Sequence, residues 1–318
     1  MAFRCASPSS RTSATVLSLV FLLGAATMGA RPARAVLRVV ATTPDVADMT
    51  RQIGGEAVSV ETIAEGNQDP HKVPVKPSFV TKLNRADAVV VNGLGLEHAF
   101  LPALLEVASN PKVLPTSPGY IDASVHIQPL EVPSSQDRSQ GELHPLGNPH
   151  FSMDPVRGKL MAQAIAEGLE RVDPSHANAY QEGLQRFQEL LDRKIAEWNQ
   201  LAAPLRGVKA VSYHQDLIYF AERYGIDMVG TIETKPGVPA TPSHLEELIA
   251  TMKREKASLV IREIAYEMPL AQKVADETGA HVVTISSLAG GLGTKTYVDA
   301  VEANLRALVD AVKRGSPG

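Results

Sequence analysis

The sequence predicts an α/β fold of two lobes, each a parallel sheet flanked by helices, joined by one long spine helix. Three observations predict it. Short apolar runs alternate with helix-period segments, first from Val36 to Leu114 and again from Val208 to Lys313. Such alternation builds right-handed βαβ units and hence parallel sheets. Between the two series, Tyr180, Leu184, Phe187, Leu191, Ile195, Trp198 and Leu201 recur three or four residues apart, the stripe of one amphipathic helix.

The chain has 318 residues, 44% hydrophobic and 21% charged, enough for two domains. Residues 1–35 read as a signal peptide. Arg4 and Arg11 precede an apolar core from Ala14 to Ala26, too short to span a bilayer comfortably, and Ala33-Arg34-Ala35 fits a small-x-small cleavage site. Cleavage is expected near Ala35. Cys5, the only cysteine, precedes that core, whereas a lipid-modified cysteine would follow it. The processed chain would therefore carry no lipid, disulfide or thiolate ligand. Removing four arginines from 31 basic residues leaves 27 against 35 acidic ones, a net charge of −8. That balance excludes nucleic acid as a partner and suits a soluble exported protein, most simply a periplasmic one.

The expected boundaries are 36–172 for an N-terminal lobe, 173–203 for the spine and 204–318 for a C-terminal lobe. Val36–Ala41 reads as a buried strand. Pro44–Ile53 reads as a helix closed by Gly54-Gly55. Ala57–Ala64 is the second strand. Glu65–His71 is then a loop, and a helix opens near Pro77. Ala88–Val91 is a strand, a helix runs through Leu101 and Leu105, and Lys112–Leu114 reads as another short strand. Ser117–Asn148, rich in proline, serine and glycine, reads as a mobile loop carrying His126 and His144, both expected to be solvated. Asp154-Pro155 and Asp173-Pro174 are helix starts, and the second opens the spine.

In the second half Val208–Tyr213, Ile226–Ile232, Ser258–Ile264 and His281–Ile285 read as strands. Helices run through Leu217 and Tyr224, Leu248 and Met252, Pro269 to Thr278, and Tyr297 to Lys313. Ser243 with Glu246 looks like a capping box for the second of these.

Open α/β sheets bind ligands beyond the carboxyl ends of their strands. His71 and His214 follow predicted strands, and His150 stands before a helix at the rim of the same face. Glu263 and Ser286 also lie at strand ends. A lone histidine is usually structural, so the inference rests on the set: three imidazoles converging on one metal ion in the cleft between the lobes. Neutral imidazoles in a site without cysteine suit Zn²⁺, with one more ligand completing a tetrahedron. Carboxylates would shift the preference toward manganese. Three histidines and a water are also a hydrolase pattern, with Glu263 as the general base, but no His-Glu-x-x-His is present. The remaining histidines, including His98, need no function, and Gly290–Gly293 lacks the residues of a phosphate loop.

Gly66–His71, Lys76-Pro77-Ser78, Ala86-Asp87 and Asn92–Glu97, then Pro149–Pro155, then Ser212-Tyr213-His214 with Tyr219-Phe220 and Tyr224-Gly225, resemble the successive signatures of the metal-binding proteins of bacterial zinc/manganese ABC transporters. The resemblance covers essentially the whole processed chain. It implies two lobes and a spine helix with the ion held between the lobes by His71, His150 and His214. It also implies periplasmic capture of Zn²⁺ as transported cargo and delivery to a membrane permease with its ATPase. The protein would act as a monomer, with a metallochaperone as a further candidate partner. Histidine at position 214, where manganese members have glutamate, resembles the zinc type; manganese or iron(II) is the alternative cargo. The family often has an aspartate after the last strand, where this chain has Ser286. That leaves the fourth ligand open, with Glu263 either completing the shell or supporting it from outside.

Overall fold

The computed structural model describes Met1 and residues 36–133, 144–235 and 237–315. The expected signal peptide and its cleavage site lie outside the described residues. Among the described residues no helix is long and apolar enough to cross a membrane.

Eight strands form two four-stranded parallel sheets. The first contains β1 (Leu37–Ala41), β2 (Val58–Thr62), β3 (Ala88–Val91) and β4 (Tyr120–Asp122), in the order β2-β1-β3-β4. The second contains β5 (Lys209–Ser212), β6 (Asp227–Thr231), β7 (Leu259–Glu263) and β8 (His281–Ile285), in the order β6-β5-β7-β8. In both sheets the order reverses beside the first strand, which opens a crevice at the carboxyl ends of the strands.

Alternation along the strands divides the core into layers. Val39, Ala41, Val90, Ala210, Leu259 and Ile261 turn inward to one continuous apolar cluster. Val40, Val89 and Val91 turn outward onto α2 (Pro77–Arg85) and α3 (Leu101–Val107). Val211 and Val260 turn outward onto α7 (Pro242–Glu255) and α8 (Met268–Thr278). Burial on both faces is why these strands read as unbroken apolar runs.

The inner cluster is filled by α1 (Pro44–Gly54), α4 (Pro155–Val172), the spine α5 (Ala177–Leu201) and α9 (Tyr297–Gly315). The spine has 25 residues, about 37 Å at 1.5 Å per residue, and its Tyr180, Leu184, Phe187, Leu191 and Trp198 are buried as the stripe requires. α6 (Ile218–Tyr224) ends at Gly225, which adopts the left-handed conformation that a side chain disfavours.

Four local expectations fail. The spine helix opens at Ala177, after a separate 3₁₀ turn at Pro174–His176 that Asp173 does not cap through its side chain, rather than at Asp173-Pro174. Residues 111–113 form a 3₁₀ turn rather than a strand, because Asn110 caps it by accepting the Lys112 N–H and Pro111 has no N–H for a ladder. The fourth strand is instead Tyr120–Asp122, inside the segment expected to be all loop; Val89–Val91 provide its ladder. The α7 cap is Thr241, whose hydroxyl accepts from His244 N–H at 3.3 Å, with Pro242 in the first turn, so the Ser243–Glu246 box is not the start.

Candidate metal centre

Each predicted histidine is presented by a short, internally bonded turn. Asp69 accepts the His71 N–H at 2.9 Å and pairs through its other oxygen with Lys72 at 2.9 Å, closing a 3₁₀ turn at Pro70–Lys72. This is the turn role expected of Asp69.

His150 is held by Asn148, whose side-chain oxygen accepts its N–H at 3.0 Å. The Asn148 amide donates to Gln215 O at 2.8 Å, tying the His150 turn to the His214 loop. A second brace begins at the buried Glu97, which accepts from Thr42 Oγ1 and Asn92 N–H, both at 2.6 Å. Asn92 in turn donates to Pro149 O at 3.0 Å. His214 follows β5, where Ser212 Oγ donates to His214 O at 2.5 Å.

The three rings are neighbours, although His71 and His150, and not His214, belong to the group of histidines whose ligand atoms all lie within 4.8 Å of one another. They are only 4%, 6% and 2% exposed for His71, His150 and His214. His71 Nε2 and His150 Nε2 are 3.1 Å apart. The His214 ring centroid lies 5.5 Å from that of His71 and 5.4 Å from that of His150. Nitrogens sharing a tetrahedral Zn²⁺ at 2.0–2.1 Å stand roughly 3.3 Å apart. Burial, and the charge of His214, hold the pKa values of His71 and His150 well below the ordinary imidazole value. That direction favours the neutral form, which is the one a ligand must adopt.

His214 differs. Its Nδ1 lies 2.6 Å from Glu233 Oε2, and its Nε2 has no hydrogen-bond partner among the described residues. A carboxylate on Nδ1 fixes the proton there and leaves the Nε2 lone pair free. Burial opposes charging of this ring, but the Glu233 hydrogen bond and the charges of Asp216 and Glu233 outweigh it and raise its pKa. Tyr266 stacks on His214 at 5.6 Å and on Tyr213 at 4.7 Å, fencing the ring on one side.

Glu263 ends β7, fully buried beside Asp216. Desolvation, then the Asp216 charge, push its pKa well above the carboxylate range, and both its oxygens are without a hydrogen-bond partner among the described residues. Ser286 has a different role: its hydroxyl lies 2.7 Å from Leu288 O and 3.3 Å from Gly66 O, where it can donate across to the His71 loop.

Sequence reasoning missed Glu233, Asp216, Asn148 and His144. Glu233 comes two residues after β6, and the strand-end argument that singled out His214 would have found it. Asp216 and Asn148, each two residues from a chosen histidine, had only that proximity as a signal. His144, expected to be solvated, packs its ring 4.9 Å from that of His71. His126 instead pairs with Glu167 at 2.8 Å on the surface. His98 Nδ1 sits 3.0 Å from Gly95 O, its ring 6.0 Å from that of His71.

Comparison with known proteins accords with this architecture. The manganese ABC transporter substrate-binding lipoprotein PsaA of Streptococcus anginosus is 24% identical, over 87% of this chain and 90% of its own. A crystal structure of ZnuA superposes with a TM-score of 0.74 at 27% identity, covering 87% of this chain and 100% of that one. A zinc-bound ZnuA mutant lacking residues 138–173 superposes with a TM-score of 0.73 at 28% identity, covering 87% and 98%. The family model of the periplasmic zinc-uptake complex component A, ZnuA, matches residues 39–311. That span takes in all but the first two residues of β1 in the two sheets, the spine and all the histidines around the crevice, and the chain belongs to this family of periplasmic metal-binding, substrate-binding proteins of ABC transporters.

Proposed function

We propose that the protein captures Zn²⁺ in the periplasm and hands it to an ABC permease driven by its ATPase, with His71, His150 and His214 as ligands. The observation that carries this reading is the 3.1 Å separation of two buried imidazole nitrogens, His71 Nε2 and His150 Nε2, beside a third ring whose Nε2 is unpartnered among the described residues. Imidazole donors suit zinc, whereas manganese prefers oxygen. In this reading Glu233 orients His214, and Glu263 supports the site from outside the shell through Asp216. The protein works as a monomer; a metallochaperone could load it without altering the site. The family consists of substrate-binding proteins, not enzymes, so the zinc-hydrolase alternative is set aside.

Manganese or iron(II) is the second reading. The manganese name of the Streptococcus relative and the acidic pair Asp216–Glu263 near His214 favour it. Competitive loading from an equimolar mixture of Zn²⁺, Mn²⁺ and Fe²⁺, followed by elemental analysis, decides between them. Zinc should fill the site; manganese or iron in excess of zinc would refute the zinc assignment. Zinc binding unchanged in the His71→Ala/His150→Ala double variant would refute the site itself.

A further inference from the structure

We infer that His144 is the fourth ligand of the cargo ion, making the shell four imidazoles with no carboxylate. The inference rests on the site proposed above. Among the described residues, the group of three whose ligand atoms all lie within 4.8 Å of one another is His71, His144 and His150. The His144 ring centroid stands 4.9 Å from that of His71 and 6.1 Å from that of His150. Its Nε2 is buried with no hydrogen-bond partner among the described residues. An unpaired buried polar atom costs about 1–3 kcal/mol, and a bond to a cation is one way to relieve it.

The backbone beneath His144 is anchored. His144 O accepts the Gly147 N–H at 2.9 Å, and Asn148 N–H donates to Leu130 O at 2.8 Å. Gly147 has φ +101°, and a Cβ there would stand 2.6 Å from Pro129 Cβ, so only glycine makes this turn without strain.

Of the oxygen donors, Ser286 is turned to Leu288 O and Gly66 O, whereas Glu263, at the end of β7, has both carboxylate oxygens buried without a hydrogen-bond partner among the described residues and is the competitor that the imidazole count below tests. A shell of four neutral nitrogens selects borderline cations such as Zn²⁺ and Co²⁺ over Mn²⁺, Mg²⁺ and Ca²⁺.

The test uses the purified protein, His144→Ala, and His144→Gln as a variant that preserves bulk. Zinc affinity is measured by competition with a chromophoric chelator, and the imidazole count of the zinc-loaded protein by X-ray absorption fine structure. Both variants should bind zinc at least about tenfold more weakly, in line with the 10–100-fold losses seen for perturbed metal shells. The imidazole count should fall from four to three, and added free imidazole should restore part of the affinity in His144→Ala. Four imidazoles in both variants, or affinity within twofold of the parent, would overturn the inference. If His71→Ala still abolishes tight binding in that case, the three-histidine reading survives; if it too is without effect, that reading fails as well.

Discussion

The most informative single perturbation is Glu233→Ala. Glu233 touches no cargo in the proposed site; it acts through the 2.6 Å hydrogen bond between its Oε2 and His214 Nδ1. Both partners are almost fully enclosed, with side chains 2% exposed for His214 and 9% for Glu233, so water cannot replace the carboxylate well. The same oxygen accepts the Gly237 N–H at 3.2 Å, which fixes its direction. Without it the His214 proton is free to sit on either nitrogen, and the ring loses its aim. Loss of such an outer partner weakens metal binding about 10–100-fold, or about 1.4–2.8 kcal/mol. Chelator competition should show this loss in Glu233→Ala and a smaller one in Glu233→Gln, whose amide oxygen can still accept from Nδ1. Affinity within twofold of the parent in Glu233→Ala, with the fold intact by circular dichroism, would refute the argument that Glu233 sets the tautomer.

Two further predictions concern the scaffold. In Gly66→Ala the new Cβ would lie 2.3 Å from Gly290 C and Gly291 N and 2.4 Å from Ala289 O, all backbone atoms. The loops after β2 and β8 must part, so thermal unfolding should show a loss of about 1–3 kcal/mol, and zinc affinity should fall with it; an unchanged melting temperature would contradict the close approach. Asp45, fully buried, has its pKa raised to about 7 by desolvation, against the opposing bond from Ala289 N–H at 3.0 Å. The folded state thus holds this proton where the unfolded chain has released it. Its contribution to stability is complete below about pH 4 and is lost as pH rises through about 7. The stability gap between Asp45→Asn and the parent should therefore shift in favour of the variant between pH 5 and 8, measured by urea unfolding; a gap independent of pH would refute it.

Much of this molecule is legible in its sequence, for identifiable reasons. Parallel strands buried on both faces leave runs such as Ala88-Val89-Val90-Val91, and the spine stripe is unambiguous because seven apolar residues keep helical spacing. His71 and His214 could be placed because a strand's carboxyl end faces the crevice. What failed was decided by tertiary structure. Tyr120-Ile121-Asp122 is too short for its pattern to stand out, and becomes a strand because β3 offers an open edge. Lys112–Leu114 looked extended, but the Asn110 cap and Pro111 coil residues 111–113. His144 gave no local sign, since its place beside His71 depends on the turn at Gly147 and on Leu130, far from any periodic segment.

The inward faces of both sheets share one apolar mass with the spine, α1, α4 and α9. A molecule built this way is mechanically a monolith: rotating one half against the other would shear dozens of packed side chains. The shared core therefore resists a hinge between the halves, while the short turn that bears His71, Pro70–Lys72, lies outside that mass and can shift without unpacking it.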